Sequence, residues 1–181
     1  MKLLGVLLFL STACTARVAC GDAVALTLPH AGSLAAKTQA AAPKVFKHED
    51  AGIQFELPAG WTAQPAGDVL TITASDSSVS VVLWALDNVS ADDARKTLDT
   101  ELNKVMKNQR VTKPATKGIL NGMPVVTESG TGEVDGTTIE WSVDLITAKK
   151  PVICLYFAAP GIADKHADEI AAFRNSIKKL T

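Results

Sequence analysis

The hydrophobic rhythm of the chain changes along its length. Residues 3–10 form an apolar run broken only by Gly5. From residue 15 to 43 Ala, Thr, Gly and Pro dominate, and large apolar side chains stop after Leu34. From Lys44 the pattern becomes that of folded elements. Val45-Phe46 suggests a short strand, and Asp50-Ala51-Gly52 a turn. Ile53, Phe55 and Leu57 alternate with Gln54 and Glu56, the two-residue period of a half-buried strand. Pro58-Ala59-Gly60 ends it, and Trp61 begins a short extended piece broken by Pro65 and Gly67. Two further strands are predicted at 69–74 and 78–86, joined through Ser75-Asp76-Ser77. In the second, Val79, Val81, Leu83 and Ala85 take one face and Val82, Trp84 and Leu86 the other. Both faces are apolar, so this is predicted to be an inner strand covered on each side.

A helix follows. Ser90 stands at its N-cap with Asp93 three residues on, a shortened capping box. Ala94, Leu98, Leu102, Val105 and Met106 recur at spacings of three and four, one apolar stripe. Pro114 places its segment in a loop or an edge strand. Hairpin turns are signalled by Asn121-Gly122 and Asp135-Gly136, linking strands at 116–120, 123–133 and 137–147. Lys149-Lys150-Pro151 turns into 152–158, apolar on both faces. A last helix is predicted from about 163 to 179, with Ala163, Ala167, Ile170, Phe173 or Arg174, and Ile177 on its buried side. The predicted fold class is α+β: an antiparallel sheet of about six to seven strands between two long helices, one on each face. A dimer covering one face is the competing account, so the chain is expected to be a monomer or a weak dimer.

The N-terminus adds an address. Lys2 and the apolar run have the charge and length of a signal-peptide core. A run of eight residues is too short for a hydrocarbon core, which needs about 20 in a helix. The segment Leu10-Ser11-Thr12-Ala13-Cys14 resembles a bacterial lipoprotein cleavage site, in which small residues precede a cysteine that becomes acylated. It departs from that pattern at Ser11, where leucine is usual. Cys20 is a second candidate, and cleavage after Ala16 would instead release a soluble protein. The expected organisation is a signal peptide at 1–13, a lipid-anchored Ala-rich tether at 14–43 and one domain at 44–181. Acylated Cys14 would make membrane lipid a partner without a spanning helix.

The opening of the domain, Ile53-Gln54-Phe55-Glu56-Leu57-Pro58-Ala59-Gly60-Trp61, resembles the PsbP/Mog1-like superfamily, which includes DcrB-like bacterial lipoproteins. The order of elements across 44–181 carries the same resemblance. It implies an α/β/α arrangement and a structural role for Phe55, Leu57, Pro58, Gly60 and Trp61. It implies no single function, because such folds serve photosystem, transport and secretory accessory proteins.

Candidate chemistry changes this picture little. His30, His48 and His166 show no metal-ligand spacing, and Cys14, Cys20 and Cys154 form no CxxC pair. There is no G-x-S-x-G elbow. Ser129-Gly130-Thr131-Gly132 lacks a phosphate-loop lysine and reads as a loose strand. The net charge of −1 offers nothing to nucleic acid at long range. Basic residues at 104–117 and 174–179 read as solvated helix and loop faces. The expectation is therefore a non-catalytic cell-envelope lipoprotein facing the periplasm, without cofactor or metal. It would act as an interaction or accessory module for an envelope protein. The alternatives are a small-ligand binding or carrier module and, last, an enzyme. An exposed apolar patch would favour the first role, and a deep cavity with convergent polar groups the second.

Overall fold

A computed structural model describes residues 44–87 and 89–180. Cys14, Cys20, His30 and the expected leader and tether lie outside the described residues. The strands are β1 (Lys44–His48), β2 (Ile53–Leu57), β3 (Thr62–Ala66), β4 (Val69–Thr73) and β5 (Val79–Ala85), followed by helix α1 (Ala91–Val105). Then come β6 (Lys107–Leu120), β7 (Met123–Val134), β8 (Thr137–Thr147) and β9 (Pro151–Ala158). Two short helices, α2 (Ile162–Lys165) and α3 (Ala167–Ser176), precede β10 (Lys178–Lys179).

Seven strands form one antiparallel sheet in the order β3-β4-β5-β9-β8-β7-β6. β9 pairs with β5 from Val79↔Ala158 to Ala85↔Val152 and with β8 on its other side. Its central place explains why 152–158 is apolar on both faces: every residue there is buried. The Ser90 hydroxyl starts α1 by accepting the Asp93 N–H at 3.1 Å. Ala94, Leu98, Leu102 and Met106 then pack on Trp84, Trp141, Val143, Leu155 and Phe157 across one sheet face. Gly130 and Gly132 make this packing possible. A Cβ on Gly130 would lie 2.5 Å from the Trp141 ring, and one on Gly132 would lie 2.2 Å from Met106 Sδ.

The other face corrects the expectation of two long helices. It is covered by a second sheet, ordered β1-β2-β10, together with α3. Ile53, Phe55 and Leu57 from β2, with Phe173 and Ile177, pack on Val81, Leu83, Cys154 and Tyr156. The predicted helix over 163–179 is interrupted at His166, and α3 itself has 10 residues. Its end has a tertiary cause. Asn121 Nδ2 donates to the carbonyls of Asn175 and Ile177 at 2.7 Å each. The backbone becomes extended at Ile177, so that Lys178 pairs with Gln54 and Lys179 with Ile53 along β2.

A further correction concerns the basic stretch after α1. The edge-strand alternative at Pro114 and the strand expected at 116–120 belong to one 14-residue outer strand, β6, which replaces the expected loop before them, bonds to β7 and is bent by three register shifts. All its residues except Leu120 are exposed, so it carries no alternation to read. Lysines, Pro114 and bulges are devices that keep a sheet edge from pairing with other chains.

Candidate functional site

The face covered by α3 is apolar only in part. Alternation along β7 and β8 directs Thr127, Ser129 and Thr131, opposite Asp144, Ser142 and Glu140, to that face. Val79 and Ala158, with Ala163 and Ile170 from α2 and α3, supply apolar wall. Between these two surfaces lies a cleft of about 410 Å³. Small-ligand pockets run from about 300 to 1,000 Å³.

Its floor is a connected polar array. Asp144 is 1% exposed. Arg174 reaches down from α3 and donates from Nε to Asp144 Oδ2 at 2.6 Å and from Nη2 to Oδ1 at 3.1 Å. The Thr127 hydroxyl donates to Asp144 Oδ1 at 2.6 Å. A buried carboxylate must be paired and hydrogen-bonded to be tolerated, and these three donors do that. The paired Asp144 in turn holds the Arg174 pKa above its ordinary value. Beside the pair the Ser129 and Ser142 hydroxyls bond each other at 2.8 Å. Lys113 of β6 and Asp164 of α2 also line the cleft.

One wall residue is poorly satisfied. Among the described residues the buried Tyr156 hydroxyl has no oxygen or nitrogen partner and only the weakly bonding Cys154 thiol beside it. Burial pushes its pKa well above the phenol value, so it is a neutral O–H. A buried polar group without a partner costs about 1–3 kcal/mol. Cys154, two residues earlier on β9, is a free and fully buried thiol whose pKa burial pushes up, which makes it a poor nucleophile.

A second polar cluster ties the turn between β4 and β5 to the start of α3. His166 Nδ1 lies 2.5 Å from Glu169 Oε2, and Nε2 lies 3.1 Å from Asp76 Oδ2 and 3.0 Å from Ser78 Oγ. The spacing mimics a Ser-His-acid triad, yet the bonding differs. Ser78 Oγ donates to Asp76 at 2.7 Å, and both ring nitrogens face carboxylates. Glu169 first, then Asp76, raise the His166 pKa, and bonds from Ser78 chiefly lower that of Asp76 to about 2. With a carboxylate at each ring nitrogen and the Ser78 hydroxyl turned to Asp76, His166 clamps the turn between β4 and β5 to the start of α3.

The sign follows from linkage. A raised histidine pKa contributes stability that is complete below the unfolded value of about 6.5 and is lost as pH rises through the folded value. A lowered aspartate pKa contributes above the unfolded value of about 3.9 and is lost toward the folded one. The Tm difference between wild type and His166→Gln is therefore expected to be greatest near pH ~5 and to shrink toward pH ~9. Thermal melts across that range check it, and a constant difference would exclude the clamp.

The motif residues Phe55, Leu57, Pro58, Gly60 and Trp61 do not line the cleft, whereas Ser129, Gly130 and Thr131, read from sequence only as a loose strand, do. Phe55, Leu57 and Trp61 are buried in the core beneath the small sheet. Pro58 and Gly60 form the turn before Trp61, with Gly60 at φ +80° and the Trp61 N–H bonded to the Pro58 carbonyl. The Trp61 ring stands edge-on to His166 at 6.2 Å. His48 accepts the Ala51 N–H within its own turn. Asp144 and Arg174 carried a faint signal. Asp144 continues the polar alternation of Glu140 and Ser142, which reads as a solvent face, and Arg174 falls beside Phe173 on the helix stripe.

No family model matches the sequence, and no curated protein matches it. Solved structures do match its fold. The cyanobacterial PsbP of Synechocystis sp. PCC 6803 aligns over 82% of this chain and 98% of its own, at 15% identity and a TM-score of 0.55. The chain has a PsbP-like fold. A protein of Bacteroides thetaiotaomicron is similar over 76% of this chain and 48% of its own, at 13% identity and a TM-score of 0.53. LpqN of Mycobacterium tuberculosis, involved in cell envelope biogenesis in that organism, aligns over 76% of this chain and 90% of its own, with 14% identity and a TM-score of 0.49. At these identities the relation is one of fold. Among the described residues no helix is long and apolar enough to cross a membrane.

Proposed function

We propose that this protein is a non-catalytic small-ligand binding module of the cell envelope, held at a membrane through acylated Cys14. The observation that carries the binding reading is the cleft over β7 and β8, where an apolar wall faces the Asp144–Arg174 pair and the Ser129 and Ser142 hydroxyls. Convergent polar groups beside an apolar wall are what small-molecule sites require. Among the described residues the large apolar side chains left exposed are Val45, Val111 and Ile119. Val111 and Ile119 stand eight residues apart on β6, roughly 26 Å along a strand. Binding is favoured over catalysis because the Ser129 and Ser142 hydroxyls are bonded to one another and to a backbone carbonyl, not to a base. Export and anchoring rest on Lys2, the run at 3–10 and Cys14.

Native mass spectrometry of the full chain isolated from its own envelope fraction tests the reading. A co-purifying small molecule is expected on wild type and is expected to be lost in Ala163→Trp, which fills the rim of the cleft. Wild type without any bound mass would overturn it. The N-terminal peptide mass in the same preparation, compared with Cys14→Ser, reports acylation.

A second reading has its own observation. β6 is a long outer strand carrying Lys107, Arg110, Lys113 and Lys117 with no acidic residue. An interaction module could meet an acidic envelope protein there, and charge reversal of these four residues would then abolish capture while leaving the cleft's ligand in place.

A further inference from the structure

We infer that the ligand of the cleft is a neutral polyhydroxylated molecule of the saccharide class, an assignment that rests on the binding reading above. The charges decide against ions. Lys113 and Arg174 face Glu140, Asp144 and Asp164 around the cleft, so positive charge does not prevail. Arg174 is already engaged by Asp144 through two nitrogens, and Glu140 Oε2 accepts the Gly161 N–H at 3.3 Å. A phosphate or carboxylate entering would meet Glu140 and Asp164. A cation would meet Lys113 and Arg174.

The polar lining decides against a lipid chain. Thr112, Thr127, Ser129, Thr131 and Ser142 bring five hydroxyls to one side of the cleft. Thr112, Thr127, Ser129 and Ser142 already bond within the protein, yet each hydroxyl keeps acceptor capacity that an acyl chain would cover and leave unmet. A hydroxyl both donates and accepts, so a lining rich in hydroxyls is complementary to ligand groups that do the same. Ala158, Ala163, Val79 and Ile170 oppose this side with an apolar surface suited to the C–H face of a sugar ring.

The test is titration of the isotope-labelled full chain with four probes separately: N-acetylglucosamine, glucose, inorganic phosphate and oleate. At least one sugar is expected to shift the amide resonances of Ser129, Ser142 and Arg174 saturably. Ser142→Ala is expected to weaken that sugar about tenfold, the loss of one hydrogen bond. Lys113→Ala is expected to change it less than twofold, whereas an anion site would lose much more. Shifts at these residues with phosphate or oleate, and none with either sugar, would overturn the saccharide class while leaving the cleft a binding site. Silence from both sugars overturns it as well. A simultaneous absence of bound mass on the native protein would remove the binding reading itself. Equal Tm values for the two variants and wild type separate lost contacts from lost folding.

Discussion

Phe55→Ala is expected to destabilise the domain by about 4 kcal/mol, within the range of about 3–5 kcal/mol for deleting a buried aromatic ring. Phe55 is 1% exposed at the seam where the small sheet meets the large one. Its ring stacks on Phe46 at 5.6 Å and meets the edge of Phe173 at 5.4 Å. Truncation removes the ring from water-free surroundings and leaves a hole beside Phe46 of β1 and Phe173 of α3. Each ring pair adds about 0.5–1.5 kcal/mol beyond area burial. Urea unfolding is expected to show a lower midpoint with an unchanged slope. Val45→Ala on the exposed side of β1 should stay within about 0.5 kcal/mol. A Phe55→Ala loss no larger than that of Val45→Ala would mean that the two sheets are not packed as described.

Arg174→Ala is expected to cost about 3 kcal/mol, the lower end of the range for removing one partner of a buried ion pair. The driving term is what remains. Asp144 stays in the sheet with Thr127 as its other side-chain donor and a side-chain exposure of 2%. The lower end applies because Arg174 itself is 34% exposed and solvent can reach its end of the bridge. The double variant Arg174→Met/Asp144→Leu is expected to recover most of the loss, since apolar replacement of a whole buried pair is often neutral. A double-mutant cycle in denaturant measures the coupling, and additive losses would show that the bridge is not what holds Asp144.

Where the determinants are local, the fold is readable from the residues. Ser90 with Asp93 marks the start of α1, and Asn121 and Asp135 take positive φ in the turns that join β6, β7 and β8. The doubly apolar runs in β5 and β9 announce central strands, because each face has its own layer. The C-terminal helix is different. Its stripe continues through Ile177, and the contact that stops it comes from Asn121, 54 and 56 residues earlier in sequence. β6 is hidden for the opposite reason: a strand solvated on both faces has no period to detect. The cleft is hidden because its polar residues keep the strand alternation of a wet surface. Only the arrival of α3, bringing Arg174 to a carboxylate 30 residues away, turns part of that surface into an interior. The His166 clamp joins Asp76 to a residue 90 positions later, and no spacing rule anticipates that meeting.

The strand pair between β2 and β10 has a temporal consequence. Ser176 Oγ accepts the Glu56 N–H across 120 positions of sequence, and the Leu180 N–H reaches the Gly52 carbonyl. β2 is among the first parts of the domain to be synthesised, yet the strand that flanks it is made last. A nascent chain that has not reached residue 178 therefore presents β2 with an unpaired edge, and one shorter than 173 residues also lacks Phe173 and Ile177 over the sheet beneath. Such open faces bind other chains, so the interval before closure is when the protein is most exposed to misassembly. The domain can form its central sheet early, but it seals only when its last strand arrives.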